Sequence, residues 1–163
     1  MTDQRKHDHF IHAPERRVGA LGIVRNPDGH VLFVEKKEST ASHTSPYYLP
    51  GGCVEENEPF LDGLVRAARR KMGVTLEPGR LLAVHHMYGK QWEDHYSREG
   101  INLLYDCGVW EKDPEFELGP DVARVSWVAP EDMRGLTMTF TADRVDAALR
   151  ALSGGDVEVL ADH

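Results

Sequence analysis

The chain has 163 residues, 40% hydrophobic and 28% charged, enough for one domain with a real core and short for two. Its formal net charge of −8, without a long Lys/Arg run, argues against duplex nucleic acid or an anionic membrane as partner, but leaves room for a local basic pocket. Cys53 and Cys107 show neither Cys-x-x-Cys spacing nor the density of a disulfide scaffold, so two reduced thiols are expected.

The first segment, "MTDQRKHDHFIHAPERR", has no apolar h-region, and no run reaches the ~18 apolar residues of a membrane span. A cytoplasmic protein is expected. Residues 1–15 read as a loose, His-rich arm, in which His7, His9 and His12 offer transition-metal ligands or simply solvated side chains. Segments 16–26 and 30–37 are rich in Val, Leu and Ile and flank "NPDG", a strong turn signal, so they predict a β-hairpin. A polar loop follows over 38–46, and "YYLPGG" then leads into a turn.

From Pro59 to Met72 the period changes to that of a helix. Leu61, Leu64, Val65, Ala68 and Met72 form one apolar stripe. Pro59 suits the first turn, where its missing N–H has no partner to lose, and Gly73 is placed to end the helix. Segments 80–88 and 101–110 predict strands joined by the charged loop 89–100, and 123–130 predicts another. A second helix is expected over 141–152 with Thr141 as N-cap, before an acidic, mobile tail at 154–163. The order of elements implies an α/β (α+β) domain, a mixed central sheet with helices packed on it, over about 16–153.

Between Gly51 and Val74 the spacing is specific. Gly52, five residues, Glu58, seven residues, Arg66, then Ala68, Gly73 and Val74 resemble the Nudix box, G-x5-E-x7-R-E-U-x-E-E-x-G-U, where U is apolar. The preceding "LPGG" and the following "SWVAPEDM" are similar to Nudix sequences too. The resemblance implies a Nudix-type α/β/α sandwich. It also implies that Gly51, Gly52, Glu58, Arg66 and Gly73 shape a loop-helix-loop. Asn57 stands where the family usually has Gly, and Asn tolerates left-handed backbone better than most residues.

In the family, box carboxylates at the places of Ala67, Arg70 and Lys71 hold Mg²⁺ or Mn²⁺ against a diphosphate. These places are i, i+3 and i+4 and share a helix face, and hard divalent cations need such an oxygen-rich group. Here the face reads Ala, Arg, Lys, and two cations repel a third. The box is therefore degenerate, and no metal is expected on this helix. Two readings of Arg70 and Lys71 stay open: a solvated basic face, or cations that replace the metal's charge and grip an anionic ligand directly. Mg²⁺ or Mn²⁺ enters only with relocated ligands, such as Glu55 with Glu93 or Asp94.

Other candidates lie outside the box. His85 and His86 are neighbours on a predicted strand and so point to opposite faces. His86 and His95, with Glu55, are candidate acid–base groups, set against the blander reading of surface histidines. Tyr47, Tyr48, Tyr88, Trp92 and Tyr96 offer rings for stacking or for packing, and Asn102 offers a polar contact. The expected ligand set is Arg66, Arg70, Lys71, Tyr48, Trp92 and Asn102. The expected ligand is a small, anionic, phosphorylated molecule, with no nucleic acid or membrane partner. Three functions fit: a divergent enzyme, hydrolytic or not; a non-catalytic binder or sensor; and an interaction module. An ordinary diphosphate hydrolase with relocated metal ligands is a further form of the first. The resemblance also suggests a homodimer.

Overall fold

The computed structural model describes residues 13–37, 45–91, 96–97 and 99–161. The strands are β1 (Arg17–Arg25), β2 (Val31–Lys36), β3 (Tyr47–Tyr48), β4 (Gly51–Cys53), β5 (Leu81–Met87), β6 (Lys90–Gln91), β7 (Tyr96–Ser97), β8 (Gly100–Val109), β9 (Val122–Val128) and β10 (Glu158–Ala161). The helices are α1 (Phe60–Met72), the short α2 (Met133–Leu136) and α3 (Thr139–Leu152). Eight strands form one mixed sheet, ordered β10-β5-β8-β1-β2-β3, with β4 also paired to β1 and β9 to β2; β6 and β7 pair separately.

Strand β1 is the spine. It runs parallel to β8 along nearly its whole length and antiparallel to β4 through Gly19–Leu21. It meets β2 only at Arg25↔Val31, so the predicted hairpin exists at its turn and then opens. Asn26 shapes that turn, because its Oδ1 accepts hydrogen bonds from the N–H groups of Asp28 and His30. With both faces covered, β1 and β2 read as apolar runs rather than alternating ones. Ile23, Val31, Phe33, Leu82 and Leu104 pack beneath α3. Ala20, Val24, Leu32 and Val34 pack beneath Leu64, Ala68 and Met72 of α1. This is the layered α+β sandwich expected from the order of elements.

Several details differ from the sequence reading. Leu61 is 40% exposed, and the buried residues of α1 are Gly63, Leu64, Ala67, Ala68 and Met72. The small residues at 63 and 67 carry the contact because the glycine turn comes too close for a larger stripe. Helix α3 starts at Thr139 with Met138 in the cap position, and Thr141 is buried within it. Residues 158–161, expected in a mobile tail, form β10 in parallel register with β5. The bidentate Arg150–Glu158 pair, at 2.8 and 2.9 Å, brings that segment alongside α3. Among the described residues no helix is long and apolar enough to cross a membrane.

Gly51 fixes how the box enters the fold. Its φ is +117°, and a Cβ there would lie 2.1 Å from the Ala20 carbonyl oxygen on the spine. At Gly52 a Cβ would meet the Ala67 methyl at 3.3 Å and the Lys71 ammonium at 3.5 Å, both side-chain atoms. Gly51→Ala is therefore expected to destabilise by at least ~2 kcal/mol, and Gly52→Ala by much less. Equal losses for the two in chemical denaturation would contradict this packing.

Candidate functional site

The loop between β4 and α1 is held by one ion pair. Arg66, in the second turn of α1, donates from Nε and Nη2 to the two carboxylate oxygens of Glu58, at 2.8 and 2.9 Å. Glu58 also accepts the Glu55 backbone N–H at 3.0 Å, and Arg66 Nη2 donates to the Cys53 carbonyl at 2.9 Å. Hydrogen bonds from Arg66 first, and from the Glu55 N–H next, hold the Glu58 carboxyl down at about 2. At the apex, Asn57 adopts φ +60°, the left-handed backbone that its place requires.

The other end of α1 is fastened as well. Gly73 ends the helix with φ +69°, and its N–H returns to the Arg69 carbonyl. The carbonyls of Met72 and Lys71 accept from the N–H groups of Glu117 and Gly119, at 2.8 and 2.9 Å. Arg69, Arg70 and Lys71 occupy this last turn, where the helix dipole favours positive charge.

Between α1, the glycine turn and the 119–122 segment lies a cleft of about 630 Å³. Among the described residues, five basic side chains, Lys36, Lys37, Arg66, Arg70 and Lys71, line it with two acidic ones, Glu55 and Asp121. Arg66 is committed to Glu58, and Glu55 lies 3.8 Å from Arg66. Lys36 sits 4.2 Å over the Tyr48 ring. Lys71 reaches under the turn, and its Nζ donates to the Gly51 carbonyl. Burial, then repulsion from Lys36, Arg70 and Arg66, pulls the Lys71 ammonium down to about 8.

A second, inner chamber of about 350 Å³ continues behind the turn. Lys36, Tyr48, Gly52, Cys53 and Lys71 line both spaces. The chamber's far wall is Asn102 of β8, Met87 of β5, and Phe140 and Arg144 of α3. Arg144 is buried, with its Nε 2.8 Å from His85 Nδ1 and its guanidinium over the Phe140 ring.

The structure thus brings Glu55, Arg66, Arg70, Lys71, Tyr48 and Asn102 to one continuous recess. His86 is not among them. Alternation along β5 sends it to the face opposite His85 and Met87, where its Nε2 lies 3.3 Å from Glu99 and its ring makes an edge contact with Tyr88. His95, Trp92, Glu93, Asp94, His7, His9 and His12 lie outside the described residues, as does the side chain of Tyr96. Lys36, Lys37, Arg17 and Arg144 were not singled out from the sequence. "EKK" at the end of a predicted strand, and an Arg within the apolar face of a helix, were the available signals.

The NUDIX domain model matches residues 15–149, which include every element of the recess. The chain belongs to the Nudix family. A MutT protein from Methanosarcina mazei is similar in structure, at 22% identity and TM-score 0.66, covering 85% of this chain and 96% of its own. A NUDIX hydrolase from Nitrosomonas europaea gives 15% and 0.67, with 93% and 82% covered. An ADP-ribose pyrophosphatase from Streptococcus suis gives 15% and 0.63, with 91% and 100% covered. No curated protein matches the chain. The residues of this Nudix helix do not fit the divalent cation that the family's box holds. The places that would supply carboxylates present a methyl group, a guanidinium and an ammonium. Among the described residues no group of three His, Cys, Asp or Glu is placed to hold a metal.

Two pH effects follow. Glu58 titrates lower in the folded chain than its ordinary 4.5, so its contribution is complete above 4.5 and is lost as pH falls toward about 2. Stability measured over that window should fall less steeply in Glu58→Gln. Lys71 titrates at about 8 against an ordinary 10.5, so its burial penalty is complete below 8 and is relieved as pH rises to 10.5. Its contribution should raise stability across that range, with a limiting slope of about 1.4 kcal/mol per pH unit. Lys71→Met should lack that rise, and an unaltered profile would mean the ammonium is solvated.

Proposed function

We propose that this Nudix-fold chain is a divergent enzyme acting on a small phosphorylated or otherwise anionic metabolite, with Arg70 and Lys71 supplying the positive charge in place of a box-bound metal. The observation that carries this reading is the unpaired charge in the cleft. Lys36, Lys37, Arg70 and Lys71 have no carboxylate partner among the described residues, and Lys71 is buried at a cost its neighbours increase. An anion between them would offset that repulsion, and the Arg fork can grip two of its oxygens.

Catalysis is favoured over binding alone by the poise of Lys71. An amine at about 8 exchanges its proton near neutral pH, as a general acid or base must, and Glu55 at the cleft's lip is a second candidate. The family to which the chain belongs, with relatives named as hydrolases and a pyrophosphatase, supports an enzyme too. The recess supplies charge and proton exchange rather than a specified nucleophile, so hydrolytic and non-hydrolytic steps both fit it. A non-catalytic binder is the second reading, favoured by the position of His86 outside the cleft.

The test is thermal shift and turnover with pyrophosphate, nucleoside diphosphates and sugar phosphates, in chelator and in Mg²⁺ or Mn²⁺. Stabilisation and turnover should persist in chelator, and Arg70→Glu with Lys71→Glu should abolish both, a loss of at least ~10-fold in affinity. Stabilisation without any turnover would select the binder. Strictly Mg²⁺-dependent hydrolysis lost in Glu55→Gln would overturn the proposal in favour of relocated metal ligands.

A further inference from the structure

The inner chamber differs in kind from the outer cleft. Its lining includes four basic residues, Arg17, Lys36, Lys71 and Arg144, and no Asp or Glu among the described residues. Asn102, on the chamber's sheet wall, is 2% exposed, and its Nδ2 has no hydrogen-bond partner among the described residues. An unsatisfied buried amide donor costs about 1–3 kcal/mol, and so marks a place where an acceptor belongs. Tyr47, Tyr48 and Phe140 contribute ring surface to the same space.

We infer that the inner chamber is a second anion subsite, which takes a carboxylate joined by a flat body to the phosphate held in the outer cleft. The inference deepens the proposed function and rests on the outer-cleft reading. The ligand class is then a phosphorylated aromatic or otherwise planar carboxylic acid. Its carboxylate accepts from Asn102 Nδ2, and its body lies along the rings of Tyr48 and Phe140. Lys71, which lines both spaces, stands between its two charges. A carboxylate suits this chamber better than a second phosphate, because it is planar and small. It also suits it better than a neutral base, because the described lining carries four basic residues and no Asp or Glu to balance them.

The experiment is calorimetric titration of the full chain with phenyl phosphate and with 3-carboxyphenyl and 4-carboxyphenyl phosphate. At least one carboxy compound should bind at least about tenfold more tightly than phenyl phosphate. Asn102→Leu, close in size and without donors, should erase that preference. Asn102→Asp, which keeps the side-chain shape and adds a repelling charge, should reverse it. Retention of the preference in both variants would reduce it to general attraction by the basic recess and overturn the inference. Equal binding of all three compounds by the unaltered chain would remove the inner subsite and leave the outer-cleft reading standing. Failure of all three to bind would overturn both.

Discussion

The bidentate contact between Arg66 and Glu58 is the constraint on which the rest of the recess depends. It joins the second turn of α1 to the loop preceding it, and the same two side chains also hold the backbone at Cys53 and Glu55. The clasp ties the loop after the glycine turn to the helix, while the pairing of β4 with β1 and the contact of Lys71 with the Gly51 carbonyl hold the turn itself. The pair is charge-assisted and two-pronged, and both side chains also bind backbone groups of the loop, which sets it apart from an ordinary surface salt bridge. Shape in this motif is thus built from groups separate from those that would do chemistry.

That separation explains why a Nudix fold can persist with Ala, Arg and Lys on the face where the family carries carboxylates. Substitutions at 67, 70 and 71 leave the clasp, the glycine turn and the left-handed helix end in place. Ala67 is buried against the turn, a packing position as much as a functional one. Arg70 and Lys71 stand at the end of the helix where a positive charge is best tolerated. The fold therefore keeps its shape through the exchange of acids for bases, and the cost falls on the burial of the Lys71 ammonium.

Much of this was legible in the order of residues. The turn at Asn26–Gly29, the helical period that buries Leu64, Ala68 and Met72, the glycine that ends it and the left-handed Asn57 all follow from local patterning, which a sequence carries directly. The opening of the β1–β2 hairpin did not, because it depends on β8 and β4 competing for the edges of β1. Nor did β10, since a short acidic strand becomes one only beside β5 and Arg150. The box cations and Asn102 were visible as residue types. That Lys36, Arg17 and Arg144 converge on them required the sheet, which brings positions far apart in the chain to one wall.

The docking of the 117–119 segment on the end of α1 has a bearing on the breadth of this recess. The backbone carbonyls of Lys71 and Met72 are hooked to Gly119 and Glu117, and the next residues, Pro120 to Val122, form the wall facing Arg70. Wall and helix are thus spaced by peptide groups of fixed size rather than by adjustable side chains. The stretch from Trp110 to Val122 then behaves as a gauge. A single residue inserted between Gly119 and Val122 would reset the opening itself.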